Sequence, residues 1–144
     1  SEWMTEAPET LPCEASAASA IAALRRTKET VLPVVNDDRR FIGLASSLRL
    51  AELTQEDGSL DAPLSDLPLI DEAVAASAPP SEVLGALRST GLQSLPVVDA
   101  DRRVVGWVSE RDLVDRMYRD QRRAIEARTQ TSWGSRMQER RRSR

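Results

Sequence analysis

Along the chain, apolar positions fall into helical stripes and short continuous runs, and the same order of stripes and runs comes twice. From Ser16 to about Thr27, Ala17, Ala20, Ile21 and Leu24 share one face at helical spacing, which predicts an amphipathic helix. The run Val31–Val35 is short, apolar and rich in valine, the composition of a buried strand. The proline in its Leu32-Pro33-Val34-Val35 core fits a strand start or an edge, not a central ladder. An Asp-rich turn over 36–40 suits a hairpin loop, and a second strand is expected over Phe41–Ala45. A further helix starts near Ser47, and Thr10-Leu11 forms a short extended segment before the first helix.

The second copy reads the same way. Ala73-Val74 is the extended segment, and Ser81 is a candidate N-cap with Glu82 just inside the helix. Val83, Leu84 and Leu87 make the apolar stripe, and Gly91 ends it. Strands over Leu95–Val98 and Val104–Val108 flank the polar turn 99–103. The last helix starts near Glu110, with Leu113, Val114 and Met117 on one side. At a fixed offset of 63, residues 4–50 align with 67–113 without a gap, and 16 of 47 positions are identical. The unit is β-α-β-β-α, and two copies make one pseudo-symmetric domain, because a unit of about 50 residues is marginal alone. The expected boundaries are repeat 1 over 4–53, a polar linker over 54–63, repeat 2 over 64–120 and a basic C-terminal helix or tail over 121–144.

Charge sharpens this division. The net charge of −3 hides an acidic body, with 12 Lys+Arg and 21 Asp+Glu in residues 1–120, and a basic tail, with 8 Arg and 2 Glu in residues 121–144. The tail suits either a solvated terminus or contact with anionic lipid or nucleic acid. An acidic body argues against a nucleic-acid-binding fold. There are no histidines, so a His-based triad or His-metal site is excluded. The single Cys13 cannot form an internal disulfide, and nothing beside it in sequence supplies a cation or base to activate the thiol. No apolar run approaches the roughly 18 residues needed to span a bilayer. Ser1-Glu2-Trp3-Met4 does not begin a secretory signal, so a cytoplasmic location is expected. Glycines are scattered, with no phosphate loop, and the turn carboxylates Asp37, Asp38, Asp99 and Asp101 read as solvated. Catalysis and a bound metal are therefore not expected.

The repeated β-α-β-β-α unit, with L-P-V-V-[DN], an acidic turn, G-x-x-S and then D-L, resembles a tandem pair of CBS domains, a Bateman module. The resemblance covers about residues 4–118, and copy two carries it best, in Leu95-Pro96-Val97-Val98-Asp99 and in Gly106-Trp107-Val108-Ser109-Glu110-Arg111-Asp112-Leu113. It implies an α/β fold of two repeats packed about a pseudo-two-fold axis, with two clefts for adenine nucleotides or adenosyl ligands. It also implies a regulatory rather than enzymatic role, a homodimer formed through the repeats, and an attached or partner protein under control. The second repeat's end and the basic tail are similar to the cytoplasmic regulatory region of ClC-type chloride channels or transporters.

By the same resemblance, Asp112 occupies the ribose-binding position, and a carboxylate can accept both vicinal hydroxyls of a ribose. Ser109 stands near ribose or phosphate at a strand-to-helix junction, and Arg111 is a candidate phosphate partner. Thr10, Ala15 and Thr30 from copy one would complete this cleft, with Trp107 beside the base and Ser94 as a further lining residue. The ligand expected is AMP, ADP, ATP or S-adenosylmethionine. The second cleft departs from the pattern: Arg49 takes the aspartate position and Ala73 that of Thr10, while Ser46 remains. An arginine cannot accept ribose hydroxyls, so at most one ordinary nucleoside site per chain is expected. Other readings stand beside these. Ser109 with Asp112 is also an N-capping pattern, Trp107 also a packing residue that could occlude the cleft, and Arg111 also a solvated side chain. The chain would then be a ligand-free dimerisation scaffold, its cleft filled by Trp107 and Arg49, and Arg49 is also a candidate for a phosphate contact or a structural ion pair. Trp3 and Trp133 lie outside the repeats and would mark contacts with another part of the protein or a partner.

Overall fold

A computed structural model describes the backbone of residues 3–57 and 60–142, and the side chains of 3–55 and 60–127. The first repeat consists of β1 (Leu11–Pro12), α1 (Ala17–Thr27), β2 (Val31–Val35), β3 (Phe41–Ser46) and α2 (Ser47–Asp57). A short 3-10 turn, Leu64–Asp66, leads to the second: β4 (Val74–Ala75), α3 (Pro80–Thr90), β5 (Ser94–Val98), β6 (Val104–Ser109) and α4 (Glu110–Arg142). Each repeat holds a three-stranded sheet, ordered β1-β2-β3 or β4-β5-β6. The first pair in each is parallel and the second antiparallel, with matching registers and a bulge at the same place.

Both prolines of the L-P-V-V runs lie in central strands, contrary to the edge or start position expected for them. The reason lies in the shortness of β1. The Val35 carbonyl accepts the Cys13 N–H at 2.9 Å, so Val35 faces β1, and Pro33 two residues earlier faces the same way. The β1 ladder begins only at Leu11 opposite Val34, so no N–H is required at Pro33.

β2 is buried along its whole length because it serves two cores. Leu32 and Val34 pack with Ala17, Ala20, Ala23 and Leu24 of α1. Val31, with Phe41 and Leu44 of β3, joins the core of the second repeat around Val97, Leu87 and Leu113. Each fully buried Leu or Val contributes about 1.5–3 kcal/mol. The alanines on the buried face of α1 let the helix lie close to its sheet. Ser16 caps α1, its Oγ accepting the Ser19 N–H at 3.1 Å. In the second copy the expected cap Ser81 lies inside the helix. Pro79 is the cap and Pro80 takes the first helical position, where a missing N–H costs nothing.

The repeats exchange their lead-in segments. Thr5 pairs with Trp107 of β6, each N–H donating to the other's carbonyl at 2.7 Å. Ile70 pairs likewise with Leu44 of β3, at 2.8 and 3.1 Å. Trp3 is therefore a core residue, 9% exposed among side chains of the second repeat, and does not mark a contact with another protein. Leu64, in turn, is buried among side chains of the first repeat. The segment expected as linker is more structured than its composition suggests. α2 continues through Thr54 to Asp57, and the carbonyls of Leu60 and Ala62 accept the N–H groups of Ala18 and Ala17 at the start of α1. Trp133 lies outside the residues whose side chains are described.

The two hairpin turns are copies of each other. Asn36 Oδ1 accepts the N–H groups of Asp38 and Arg40, each at 3.0 Å, and Asp99 Oδ1 those of Asp101 and Arg103, each at 2.9 Å. They hold Arg39 and Arg102 in the left-handed region at φ 64° and 63°. The turns meet where the Phe41 N–H donates to the Arg102 carbonyl at 2.8 Å and Arg103 Nε to the Asp38 carbonyl at 3.2 Å. No described helix is long and apolar enough to cross a membrane.

Candidate functional site

Two strand-to-helix junctions, one in each repeat, present the candidate chemistry. At β6–α4, the Glu110 N–H donates to the Gln93 carbonyl at 2.8 Å. Ser109 Oγ accepts the Asp112 N–H at 3.1 Å. This is capping geometry, and it leaves the hydroxyl hydrogen free to donate. It also sets the exposed Asp112 carboxylate on the first turn of α4, beside the helix's positive end. Ser94, 5% exposed, sits opposite Ser109 in the β5–β6 register. The β3–α2 junction repeats the plan. The Ser47 N–H donates to the Thr30 carbonyl at 2.9 Å, and Ser46 Oγ accepts the Arg49 N–H at 3.4 Å. Where the second repeat has a carboxylate, the first has a guanidinium. Among the described residues, Asp112, Arg111 and Arg49 belong to no salt bridge.

The other expected residues are placed as follows. Thr10 and Thr30 are exposed, and Ala15 is half-buried, its carbonyl accepting the Leu64 N–H at 2.9 Å. Among the described residues no hydrogen bond or ion pair joins Thr10, Ala15 or Thr30 to Ser109, Arg111 or Asp112. Trp107 is 4% exposed and packs in the second repeat's core, so its burial favours the packing role over base stacking. Its backbone is covered by Thr5, whose hydroxyl also reaches the Trp107 carbonyl at 3.3 Å. In the second repeat, the counterparts of Thr10 and Ala15 are Ala73 and Ala78, and these help line a hollow of about 280 Å³ with Ser77, Glu82 and Ala86. No group of three or more Cys, Asp or Glu side chains among the described residues is arranged to hold a metal ion.

A second concavity, about 450 Å³, lies between α1 and α2, lined by Ile21, Leu24, Lys28, Glu29, Ala51 and Thr54. Sequence reasoning passed over it, although a signal existed. At the offset of 63, Ala51 and Thr54 correspond to the larger Val114 and Met117. Burial in this groove pushes the Glu29 carboxyl above its ordinary pKa. A carboxyl raised on folding binds its proton more tightly in the folded than in the unfolded chain. It therefore stabilises the fold below the ordinary carboxylate range, and that gain is lost as pH rises through the raised value. Near neutral pH the ionised Glu29 is a small cost. Glu29→Gln is expected to raise the melting temperature at about pH 7 and to leave it unchanged or lower at about pH 4. Thermal melts of the two chains across that range check the sign, and a Glu29→Gln chain that gains most in acid would refute it.

The family model for the CBS domain matches residues 1–55 and again 64–119. Inosine-5'-monophosphate dehydrogenase of Mycobacterium tuberculosis is 32% identical over 95 residues, which is 65% of this chain and 17% of the dehydrogenase. The chain thus spans about a sixth of the length of that curated relative. Among solved structures, CBSX2 in complex with AMP covers 83% of this chain and 96% of its own, at a TM-score of 0.69 and 23% identity. The CBS domain pair of MJ0100, in complex with 5'-methylthioadenosine and S-adenosyl-L-methionine, covers 83% and 94% at a TM-score of 0.67 and 21% identity. At these identities the two structures speak for the fold. With both repeats matched by the family model, and with the paired sheets and repeated junctions described above, the chain belongs to the CBS domain family, as a tandem pair of repeats.

Proposed function

We propose that the chain is a regulatory module that binds an adenine nucleotide or adenosyl ligand at the β6–α4 junction and controls an attached or partner protein. The observation that carries this reading is the exposed Asp112 carboxylate, outside any salt bridge among the described residues, on the first turn of α4 beside the Ser109 hydroxyl. Asp112 would accept the two ribose hydroxyls, and Ser109 and Arg111 would serve the phosphate or its substitute. The AMP and S-adenosylmethionine complexes of similar CBS pairs support the choice of ligand class. Thr10, Ala15, Thr30 and Ser94 are proposed to line the same cleft. Arg49 makes the first repeat's junction unfit for a ribose, so one ligand per chain is expected. Binding would regulate only if the ligand favours one of two arrangements of the repeats.

Isothermal titration with AMP, ADP, ATP and S-adenosylmethionine tests this. One ligand should bind per chain. Asp112→Ala removes two charge-assisted hydrogen bonds and should weaken binding by about a hundredfold or more. Asp112→Asn should fall between. Heat from none of the four, or equal binding by the Asp112→Ala chain, would leave a second reading, a ligand-free dimerisation scaffold formed through the repeats. That reading is favoured by the use of Ser109 as a cap and by the burial of Trp107. The parent protein we infer is a membrane channel or transporter of the ClC type, on the wording of residues 106–113 and the basic tail. Membrane and soluble fractions probed for the native protein decide between that parent and a dehydrogenase-like one.

A further inference from the structure

The second repeat is a reference for the first, and several departures of the first repeat gather at one place, the groove of about 450 Å³ between α1 and α2. In the second repeat Leu84, Leu92 and Met117 pack against the core. Their counterparts are Ile21, Glu29 and Thr54, and Ala51 stands for Val114. Two side chains are thus shorter, and one apolar residue has become a carboxylate. Arg88 of α3 pairs with Glu110 of α4 at 3.6 Å. The matching residues are Arg25 and Ser47, so the arginine has lost its carboxylate. α3 ends on Gly91 at φ 70°, whereas α1 ends on Lys28 at φ 59°, a left-handed backbone that glycine adopts freely and lysine only at a cost. Ile21, Leu24 and Ala51 give the groove its apolar lining. Arg25, Lys28 and Glu29 line it too, and none of the three belongs to a salt bridge among the described residues.

We propose that this groove binds one free apolar α-amino acid, its carboxylate on Arg25 and Lys28, its ammonium on Glu29 and its side chain against Ile21, Leu24 and Ala51. The charges set the ligand class. A plain aliphatic acid would satisfy the two cations but leave Glu29 without a partner, in a setting where burial already disfavours its charge. An apolar amine would satisfy Glu29 and leave the cations unanswered. A zwitterion with both groups on one carbon answers all three, through charge-assisted hydrogen bonds at a site partly withdrawn from water. The apolar lining sets the side chain. Ala51 and Thr54 leave open the room that a valine and a methionine take up in the second repeat. The volume falls within the range of about 300–1,000 Å³ usual for small-molecule sites. Near neutral pH the ionised Glu29 is a cost to the fold, and a bound ammonium would offset it. The groove lies on α1 and α2, apart from the β6–α4 junction, and does not depend on the nucleotide reading.

Isothermal titration of the full chain with L-leucine, L-methionine and L-phenylalanine tests it. At least one of them should bind, one per chain. Its amide, which lacks the carboxylate, and its deamino acid, which lacks the ammonium, should each bind about tenfold more weakly or worse. Arg25→Gln should weaken the amino acid about tenfold and not weaken the amide. Glu29→Gln should weaken the amino acid about tenfold and not weaken the deamino acid. Loss of folding would not produce that crossed pattern. Ala51→Val with Thr54→Met, the second repeat's own residues, should abolish binding while the circular dichroism stays native. Heat from none of the three amino acids, equal binding of the amide or the deamino acid, or binding that survives the filled groove would overturn the proposal. A filled groove that changes only the chain's sedimentation would overturn it too, in favour of a second copy seated there.

Discussion

Trp3→Ala is expected to destabilise the protein by about 3–5 kcal/mol, the cost of truncating a large buried aromatic. For a domain of this size the melting temperature should fall by about 10 °C or more. The residue lies before the first strand and outside both sheets, so the size of the effect is diagnostic. Trp3 is 9% exposed and shares a cluster with Trp107, Val108 and Leu113. The backbone pairing of Thr5 with Trp107 fixes it there, so little of the resulting cavity can collapse. Urea unfolding followed by far-ultraviolet circular dichroism gives the number. A loss below about 1 kcal/mol would mean that the lead-in segment is peripheral and the exchange between repeats contributes little.

The second large effect is a contrast between two glycines at equivalent positions. A Cβ on Gly43 would stand 2.4 Å from Leu69 Cβ, and the neighbouring residues Leu44 and Ile70 are hydrogen-bonded to each other. Neither backbone can give way without breaking that pair. A Cβ on Gly106 would meet Met4 Sδ at 2.6 Å, the far part of a flexible side chain, with the Thr5 carbonyl next at 3.1 Å. Gly43→Ala should cost about 3 kcal/mol and Gly106→Ala about 1 kcal/mol, since overpacking is penalised only as far as the neighbour cannot move. Thermal melts of the two single variants measure the difference, and equal losses would refute the asymmetry.

Much of this fold is legible in the sequence. The helical stripe of α1, the valine runs of β2 and β5 and the Asp-rich turns are local features, and the internal offset doubled each signal. The Ser109–Asp112 junction was legible for the same reason, because capping, strand end and carboxylate lie within four residues. What escaped was set by partners distant in sequence. Nothing near Trp3 announces that its segment crosses to the other sheet. The rule against proline in a central strand holds when both neighbouring ladders are long, and β1 is two residues long. Ser81 lost its cap to Pro79-Pro80, which starts the helix earlier. The α1–α2 groove depends on how packed elements face one another, which periodicity does not encode.

The crossed lead-in segments also bear on how the chain is made. Leu44 meets Ile70 only 26 residues later, so the first sheet gains its borrowed strand almost as soon as it emerges. Thr5 must wait for Trp107, 102 residues downstream. At translation rates of about 5–20 residues per second, that delay is about 5–20 s. Through this interval Trp3 and Met4 leave the ribosome without their docking site. The first repeat's lead-in segment, made well before its partner strand, is thus among the last parts of the pair to settle, and the nascent protein carries an unburied tryptophan until the second repeat arrives.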